Sequence, residues 1–238
     1  LRENGAYPSL GVNTLLDMHT GKISMSEGNR ILDDLATKGY RYYDQAAEYG
    51  KRTSFYQQYN LRVGNTTKQN SFNFSTTYWD NKYEDINSKD WKLGVNLTNS
   101  LKLTSWLNLD VGVYLKYGKE KNGSYDLFAP GFNAMPYDLL VNDDGSYFVA
   151  PSQISKARRD LIEQYGLYSE DLVPMDELNY ALNKVKNMET RAYAKLKVDF
   201  TSWLNYDVMF QYETNDTNYE SLNEKETLYM RKRINDFT

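Results

Sequence analysis

Apolar and polar residues alternate along two long stretches of this chain, and each stretch turns at the same five residues. In the first, Leu93, Val95, Leu97, Leu101 and Leu103 fall on one side, and Leu107, Leu109, Val111, Val113 and Leu115 continue it. Asn96, Thr98, Lys102, Asn108, Asp110, Tyr114 and Lys116 fall on the other. In the second, Ala192, Ala194, Leu196, Val198 and Phe200 alternate with Arg191, Tyr193, Lys195, Lys197 and Asp199; Leu204, Tyr206, Val208, Phe210 and Tyr212 then alternate with Asn205, Asp207, Met209, Gln211 and Glu213. Thr104-Ser105-Trp106-Leu107-Asn108 returns as Thr201-Ser202-Trp203-Leu204-Asn205 at the bend of each. Successive side chains of a strand point to opposite faces, so this period predicts two hairpins with one apolar and one polar face.

Two more strands precede them. Phe55, Gln57, Tyr59, Leu61 and Val63 alternate with Tyr56, Gln58, Asn60 and Arg62, and after a turn at Gly64–Gln69 the pattern resumes through Phe72, Phe74, Thr76 and Tyr78. Elsewhere the period lengthens. Ser24 followed by Glu27 is a capping box, and Ile31, Leu32 and Leu35 continue it as a helix that Gly39 would stop. Tyr40 to Gly50 reads as a second short helix and Ile154 to Tyr165 as a third. Residues 1–22, with Gly5, Pro8, Gly11 and Gly21, read as loop, and Leu167 to Met188 as irregular or helical. Asp144-Gly145 supplies the positive φ of a small hairpin spanning Leu139 to Val149. The expected layout is 1–51 loop and short helices, 52–117 four strands, 118–187 one long excursion, and 188–238 a hairpin and its following loop.

Connections therefore alternate, short at Gly64–Gln69, long at Trp79–Asp90, short at Ser105–Trp106, very long at Gly118–Asn187, and short at Ser202–Trp203. Transmembrane barrels sort their turns this way, tight on one side of the membrane and long on the other. Strand length agrees. Leu107 to Tyr117 covers about 33 Å at about 3.3 Å per residue, or roughly 25 Å through a tilt near 40°, the height of an outer-membrane apolar band. Trp106 and Trp203 stand at the short turns, and Tyr117 and Tyr212 end the apolar faces at the long connections, as an aromatic girdle requires.

Composition narrows the chemistry more than the fold. The 238 residues contain 22 Tyr, no Cys and one His, with a net charge of −4. Without Cys there is neither a disulfide framework nor a thiolate metal site, and His19 alone makes no histidine cluster. The mild acidity gives no basic stripe for nucleic acid. No apolar run reaches the roughly 18 residues of a transmembrane helix, and no basic-then-apolar leader opens the chain. Leu1-Arg2-Glu3-Asn4 lacks an initiator Met, so the sequence reads as an internal piece of a longer protein. A Tyr-rich, strand-rich composition suits an outer-membrane barrel and a soluble all-β surface protein alike.

No catalytic arrangement emerges. No phosphate loop follows a strand and opens a helix, and the lone His has no nucleophile partner, so no enzyme activity and no cofactor are expected. Asn142, Asp143 and Asp144 lack the spaced ligands and terminal Glu of a calcium loop. The aromatic residues Trp79, Tyr125, Phe128, Phe132 and Tyr137 are candidates for contacts to a ligand or a protein lid; packing the excursion's own small core would use the same residues.

The order of these segments resembles SusC/RagA-type TonB-linked outer-membrane transporters of Bacteroidetes. Gln57-Gln58-Tyr59-Asn60-Leu61-Arg62-Val63, the Gly-Asn turn and Phe72-Asn73-Phe74-Ser75-Thr76-Thr77-Tyr78 resemble that family's first barrel hairpin. Trp91-Lys92-Leu93-Gly94-Val95-Asn96-Leu97 with Leu103-Thr104-Ser105-Trp106-Leu107 is similar to its next one. Pro136-Tyr137 with Asp143-Asp144-Gly145, and Tyr229 to Thr238, resemble segments further on. The resemblance implies an all-β fold: a partial transmembrane antiparallel β-barrel, about six strands of roughly 22. It also implies a plug and TonB box, which this sequence lacks, the TonB-ExbB-ExbD energising complex, a SusD-like lipoprotein lid, and oligosaccharide or peptide cargo. Asn108, Asp110, Tyr114, Asn205, Asp207 and Gln211 would then face the lumen, and Leu109, Val111, Val113, Tyr206, Val208 and Phe210 the lipid. The competing expectation is a soluble secreted all-β module that binds glycans through its Tyr-rich loops.

Overall fold

The computed structural model describes residues 9–39, 41–130, 134–142, 144–150 and 154–238. Six strands form one antiparallel sheet in sequence order: β1 (Phe55–Thr66), β2 (Asn70–Lys82), β3 (Lys89–Lys102), β4 (Leu107–Gly123), β5 (Ala181–Asp199) and β6 (Asn205–Asn223). Each strand pairs only with its neighbours in the chain, and among the described residues the sheet is open, with β1 and β6 at its edges. The all-β expectation holds.

The register runs without interruption, so the alternation of single strands becomes continuous rows across the sheet. Leu101 faces Leu109, which faces Leu196, which faces Val208. Phe74, Leu97, Val113, Ala192 and Tyr212 form another row, and Thr76, Val95 and Leu115 the next. Two residues in directly opposed positions share a face, so all six strands put their apolar side chains on one surface.

The doubled turn closes in the same way twice. The Leu103 N–H donates to Leu107 O at 2.9 Å, and the Phe200 N–H to Leu204 O at 3.0 Å. Thr104 Oγ1 accepts from the Trp106 N–H at 3.3 Å, and Thr201 Oγ1 from the Leu204 N–H at 3.0 Å. A threonine hydroxyl that satisfies backbone donors inside a bend is the local reason for this residue choice. The Asp199 N–H reaches Trp106 O at 2.8 Å, which ties the second turn beside the first. The turn at Thr67–Gln69 lies at the same end.

At the opposite end sit the helices: α1 (Leu10–His19), α2 (Met25–Thr37), α3 (Arg41–Gly50), α4 (Lys156–Tyr165), α5 (Pro174–Tyr180) and α6 (Leu228–Phe237). The buried apolar cluster lies among them and their connections: Tyr42, Ala46, Leu127, Leu140, Met175 and Leu178. This cap is where the molecule is packed.

Four elements depart from the sequence expectation. Within the stretch read as loop, α1 forms because Ser9 caps it and α2 packs against it. The segment after β6 is helical, started by Thr227, whose Oγ1 accepts from the Met230 N–H at 3.3 Å. β4 runs on to Gly123 and β5 begins at Ala181, so paired backbone extends into stretches assigned to the excursion. Lys119-Glu120-Lys121-Asn122 is polar on both faces, so no apolar alternation marks it as strand, yet its ladder to β5 continues. The Ser24 cap is present, accepting from the Glu27 N–H at 3.1 Å, but the Glu27 carboxylate turns to Arg30 instead of completing the capping box.

Candidate functional site

The polar face of the sheet carries ordered side-chain pairs instead of isolated polar groups. Arg191 donates to Glu213 through Nε at 3.2 Å and Nη2 at 2.9 Å. Lys116 meets Glu189 at 3.3 Å, and Lys195 meets Asp207 at 3.3 Å. Asn187 Nδ2 donates to Asn215 Oδ1 and to Thr217 Oγ1, both at 2.9 Å. On β1 and β2, Arg62 donates to Asn73 at 2.6 Å and Asn60 to Thr77 at 2.6 Å. These pairs hold long side chains down along the sheet and leave a wettable surface.

Glycine gives this face its relief. At Gly112 a Cβ would lie 2.3 Å from Cε1 of Tyr193, so the tyrosine ring lies over bare backbone there. Trp79 rests in the same manner on Gly94, where a Cβ would come within 3.3 Å of its ring. The face is therefore flat and partly aromatic across the middle of the sheet.

Asn108, Asp110, Tyr114, Asn205, Asp207 and Gln211 all occupy this polar face. Asn108 stands opposite Lys197, Asp110 opposite Lys195, Tyr114 opposite Arg191, and Gln211 opposite Tyr193. The five aromatic candidates separate. Trp79 belongs to β2 and not to a connection. Tyr125 serves the cap itself, packing against the buried cluster and donating its hydroxyl to Pro130 O at 2.8 Å. Tyr137 does likewise, its Oη accepting from the Gly11 N–H at 3.3 Å. Phe128 is exposed, with Lys51 Nζ 5.6 Å from its ring centre. Phe132 lies outside the described residues.

Phe128 borders a cavity of about 230 Å³ at the base of the cap, shared with Lys51, Asp85, Asn87, Tyr125 and Asp126. Lys51 pairs with Asp85 at 2.7 Å, which holds the ammonium above its ordinary pKa. Asn87 donates to Leu178 O at 2.6 Å and fixes one wall. One exposed ring beside carboxylates, an ammonium and an amide makes a surface for polar, hydroxyl-rich or amide-rich ligands. Among the described residues no group of three or more His, Cys, Asp or Glu is arranged to hold a metal ion.

The cap is braced by polar groups that the sequence pattern does not reveal. Tyr42 is fully buried, and its hydroxyl donates to Leu127 O at 2.9 Å; burial holds it well above the usual tyrosine range. Gln45 accepts from the Leu140 and Val141 N–H groups at 2.6 and 3.1 Å and donates to Val141 O at 2.9 Å, in the manner of a short strand. On α6, Arg231 donates to Ser169 O at 2.6 Å and Asp171 O at 2.7 Å. Asn235 exchanges bonds with Tyr168, donating to its carbonyl at 2.8 Å and accepting from its N–H at 2.9 Å. An Arg and an Asn three to four residues apart share one helix face. That spacing was the one available signal.

The apolar face is the reverse of the cap. Phe210 is 74% exposed, and Tyr59, Leu61, Val63, Val113, Leu115, Val208 and Tyr212 are exposed with it. Tyr59, Tyr78, Trp91 and Tyr117 form a chain of ring contacts along its cap-side limit, with centroids 6.4, 6.3 and 5.5 Å apart. Trp203, 80% exposed, and Trp106 stand at the opposite limit. No described helix is long and apolar enough to cross a membrane, a fact that leaves strands unaddressed. A scan of protein-family models gives no match to this chain, and a search of curated proteins gives none.

Proposed function

We propose that this chain is a section of the wall, with part of the extracellular cap, of a TonB-dependent outer-membrane importer of the SusC/RagA type. The observation that carries the reading is the uncovered apolar face: the buried apolar residues belong to the cap and the first residues of β5, and none lies in the middle of the sheet. At about 4.8 Å per strand and roughly 25 Å of height, that face covers on the order of 700 Å² in plan, more than soluble monomers leave in water. A soluble sheet hides such a face under a second layer. Lipid covers it in a barrel, and the remaining strands would complete the wall from the open edges at β1 and β6.

On this reading the polar face lines the lumen, with Asp110, Tyr114, Asp207 and Gln211 toward the plug and the passing cargo. The long connections and their helices form the outer mouth. Oligosaccharides or peptides suit the mixture of exposed aromatic, amide and paired charge around Phe128. A SusD-like lipoprotein would close the mouth, and the TonB-ExbB-ExbD complex would act through a plug. The test is gel filtration of this chain with and without detergent. It is expected to elute as an aggregate in water and to become monodisperse in detergent micelles. A compact monomer without detergent would overturn the reading in favour of a soluble glycan-binding sheet.

A further inference from the structure

Beyond the aromatic row, the apolar-face side of the sheet changes to lysine. The register sets Lys82 opposite Lys89, Lys89 opposite Lys121, and Lys121 opposite Lys184, four ammonium side chains from four strands in one cross-strand row. The row below adds Lys119 opposite Lys186, beside Trp91. Lys89, Lys119, Lys121, Lys184 and Lys186 with Trp91 border one cleft of about 260 Å³, which Asp80, Asp90 and Glu120 also line.

Like charges directly opposed across strands repel, with Cβ atoms only about 5 Å apart, so such a row is unfavourable by itself. Carboxylates do not resolve it. Glu220, next in the row after Lys184, is taken by Lys186 at 2.9 Å. Asp80 stands on the same face one row down, opposite Trp91. Asp90 is bound to Lys92 and Asn81, and Glu120 accepts from Asn122. Among the described residues, Lys82, Lys89, Lys121 and Lys184 have no carboxylate within ion-pair distance, and Lys121 and Lys184 are half-buried. Lys119 lies over the rings of Trp91 and Tyr117, at 5.8 and 5.9 Å.

Height identifies the occupant. Lys119 and Lys121 follow Tyr117 by two and four residues on β4, so after tilt they stand about 5 and 10 Å above the aromatic limit, the first within the roughly 5–7.5 Å headgroup layer and the second at its outer margin. We propose that this lysine row is a binding site for the phosphorylated headgroup of an outer-leaflet glycolipid, the phosphate bridging Lys121 and Lys184 with Lys89 and Lys119 beside it. This rests on the barrel reading above. A dianion between opposed ammonium groups converts the repulsion into charge-assisted hydrogen bonds, while the acyl chains run down over Leu93, Leu115 and Val113.

The test uses the full-length protein that contains this chain, in detergent. Thermal stability is titrated with phosphorylated lipid A, with the same glycolipid after phosphatase treatment, and with inorganic phosphate. Lipid A is expected to raise the melting temperature at concentrations where neither of the others acts. Each basic residue at an anionic surface contributes a factor of about five, so Lys121→Gln with Lys184→Gln is expected to weaken the response roughly 25-fold. That double variant should melt no lower than the parent without lipid, because it removes a repulsion. Lys68→Gln with Lys102→Gln, at the opposite end of the sheet, makes the same charge change and should leave the titration unaltered. Equal action of dephosphorylated glycolipid, or an unchanged response in the Lys121/Lys184 variant, would overturn the proposal while the barrel stands. Stabilisation by inorganic phosphate at the same concentrations would replace the lipid with a free-phosphate site. Failure of the parent protein to enter membranes at all would remove both readings.

Discussion

Arg231 shows how much of the cap depends on single polar side chains. Its guanidinium bonds two main-chain carbonyls of the segment before α5, and α6 has no buried apolar residue to replace that hold. Arg231→Ala is expected to leave Ser169 O and Asp171 O without partners and to loosen the docking of α6 by about 2 kcal/mol, the usual scale for a lost charged hydrogen bond at a buried acceptor. Hydrogen exchange of the α6 amides measures it, and unchanged protection would show that the contact carries no stability. The sequence expectation for this segment is the loop that follows the second hairpin. Met230, Ile234 and Phe237 do recur at helical spacing, but the residues α6 buries are Arg231 and Asn235.

Glu170 and Glu177 give the cap a pH dependence with two limbs. Burial raises the Glu177 carboxyl above its ordinary value, against the N–H of Leu228 and the charge of Arg231. A folded state that binds the proton more tightly than the unfolded chain loses stability as pH rises through that window. At Glu170 burial also acts upward, but hydrogen bonds from Arg158 and Asn235 outweigh it, and the carboxyl ends below its ordinary value. That contribution is present above the ordinary value and lost as pH falls through the folded one. The cap should therefore be firmest around the ordinary glutamate value, weakening on a neutral limb as pH rises through the raised Glu177 range and on an acid limb as it falls through the lowered Glu170 range. Exchange rates corrected for intrinsic pH dependence test this. Glu177→Gln, which keeps an acceptor for Leu228, should flatten the neutral limb alone.

At the level of elements, the strand is the unit whose facing matters. Val111 sits in a row with Asn99, Ala194 and Phe210, near the middle of the apolar band. If that face meets lipid as proposed, Val111→Arg is expected to cost about 2–4 kcal/mol at that depth and to abolish assembly into the outer membrane. Asp110→Asn, one residue away on the polar face, should assemble normally. Heat-modifiability and surface display of the full-length protein distinguish them; equal behaviour of the two variants would mean that the faces are wrongly assigned. On the barrel reading proposed above, the contrast is sharp because one residue along a strand would exchange lipid for water.

At the scale of the whole molecule, the strands are longer than the proposed bilayer crossing would require. β5 and β6 have 19 residues each, about 60 Å of strand, of which the apolar band uses roughly half. The remainder rises above the aromatic row, where it carries the lysine row outside and the cap at its rim. The helices α1 to α3 before β1, the connection between β4 and β5, and α6 after β6 converge on that rim because every long connection leaves the sheet at the same end. The base-of-cap cavity beside Phe128 exists only through that convergence, since Lys51, Asp85 and Phe128 come from three separate segments.

Local chemistry determined the faces of this sheet. Alternation is a property of consecutive residues, so Leu109, Val111 and Asp110 declare their sides without reference to any other strand, and the Thr hydroxyl of the doubled turn closes its bend from within. Register is not local. Lys82, Lys89, Lys121 and Lys184 look like scattered surface charges in the sequence, and only the ladder across β2 to β5 gathers them into one row. The pairing of β4 with β5 spans the long connection, which no nearby residue can specify. For the same reason Arg231 and Asn235 become buried anchors only when α6 meets the segment before α5. Sequence fixes which way each side chain points; packing between distant segments decides which of them meet.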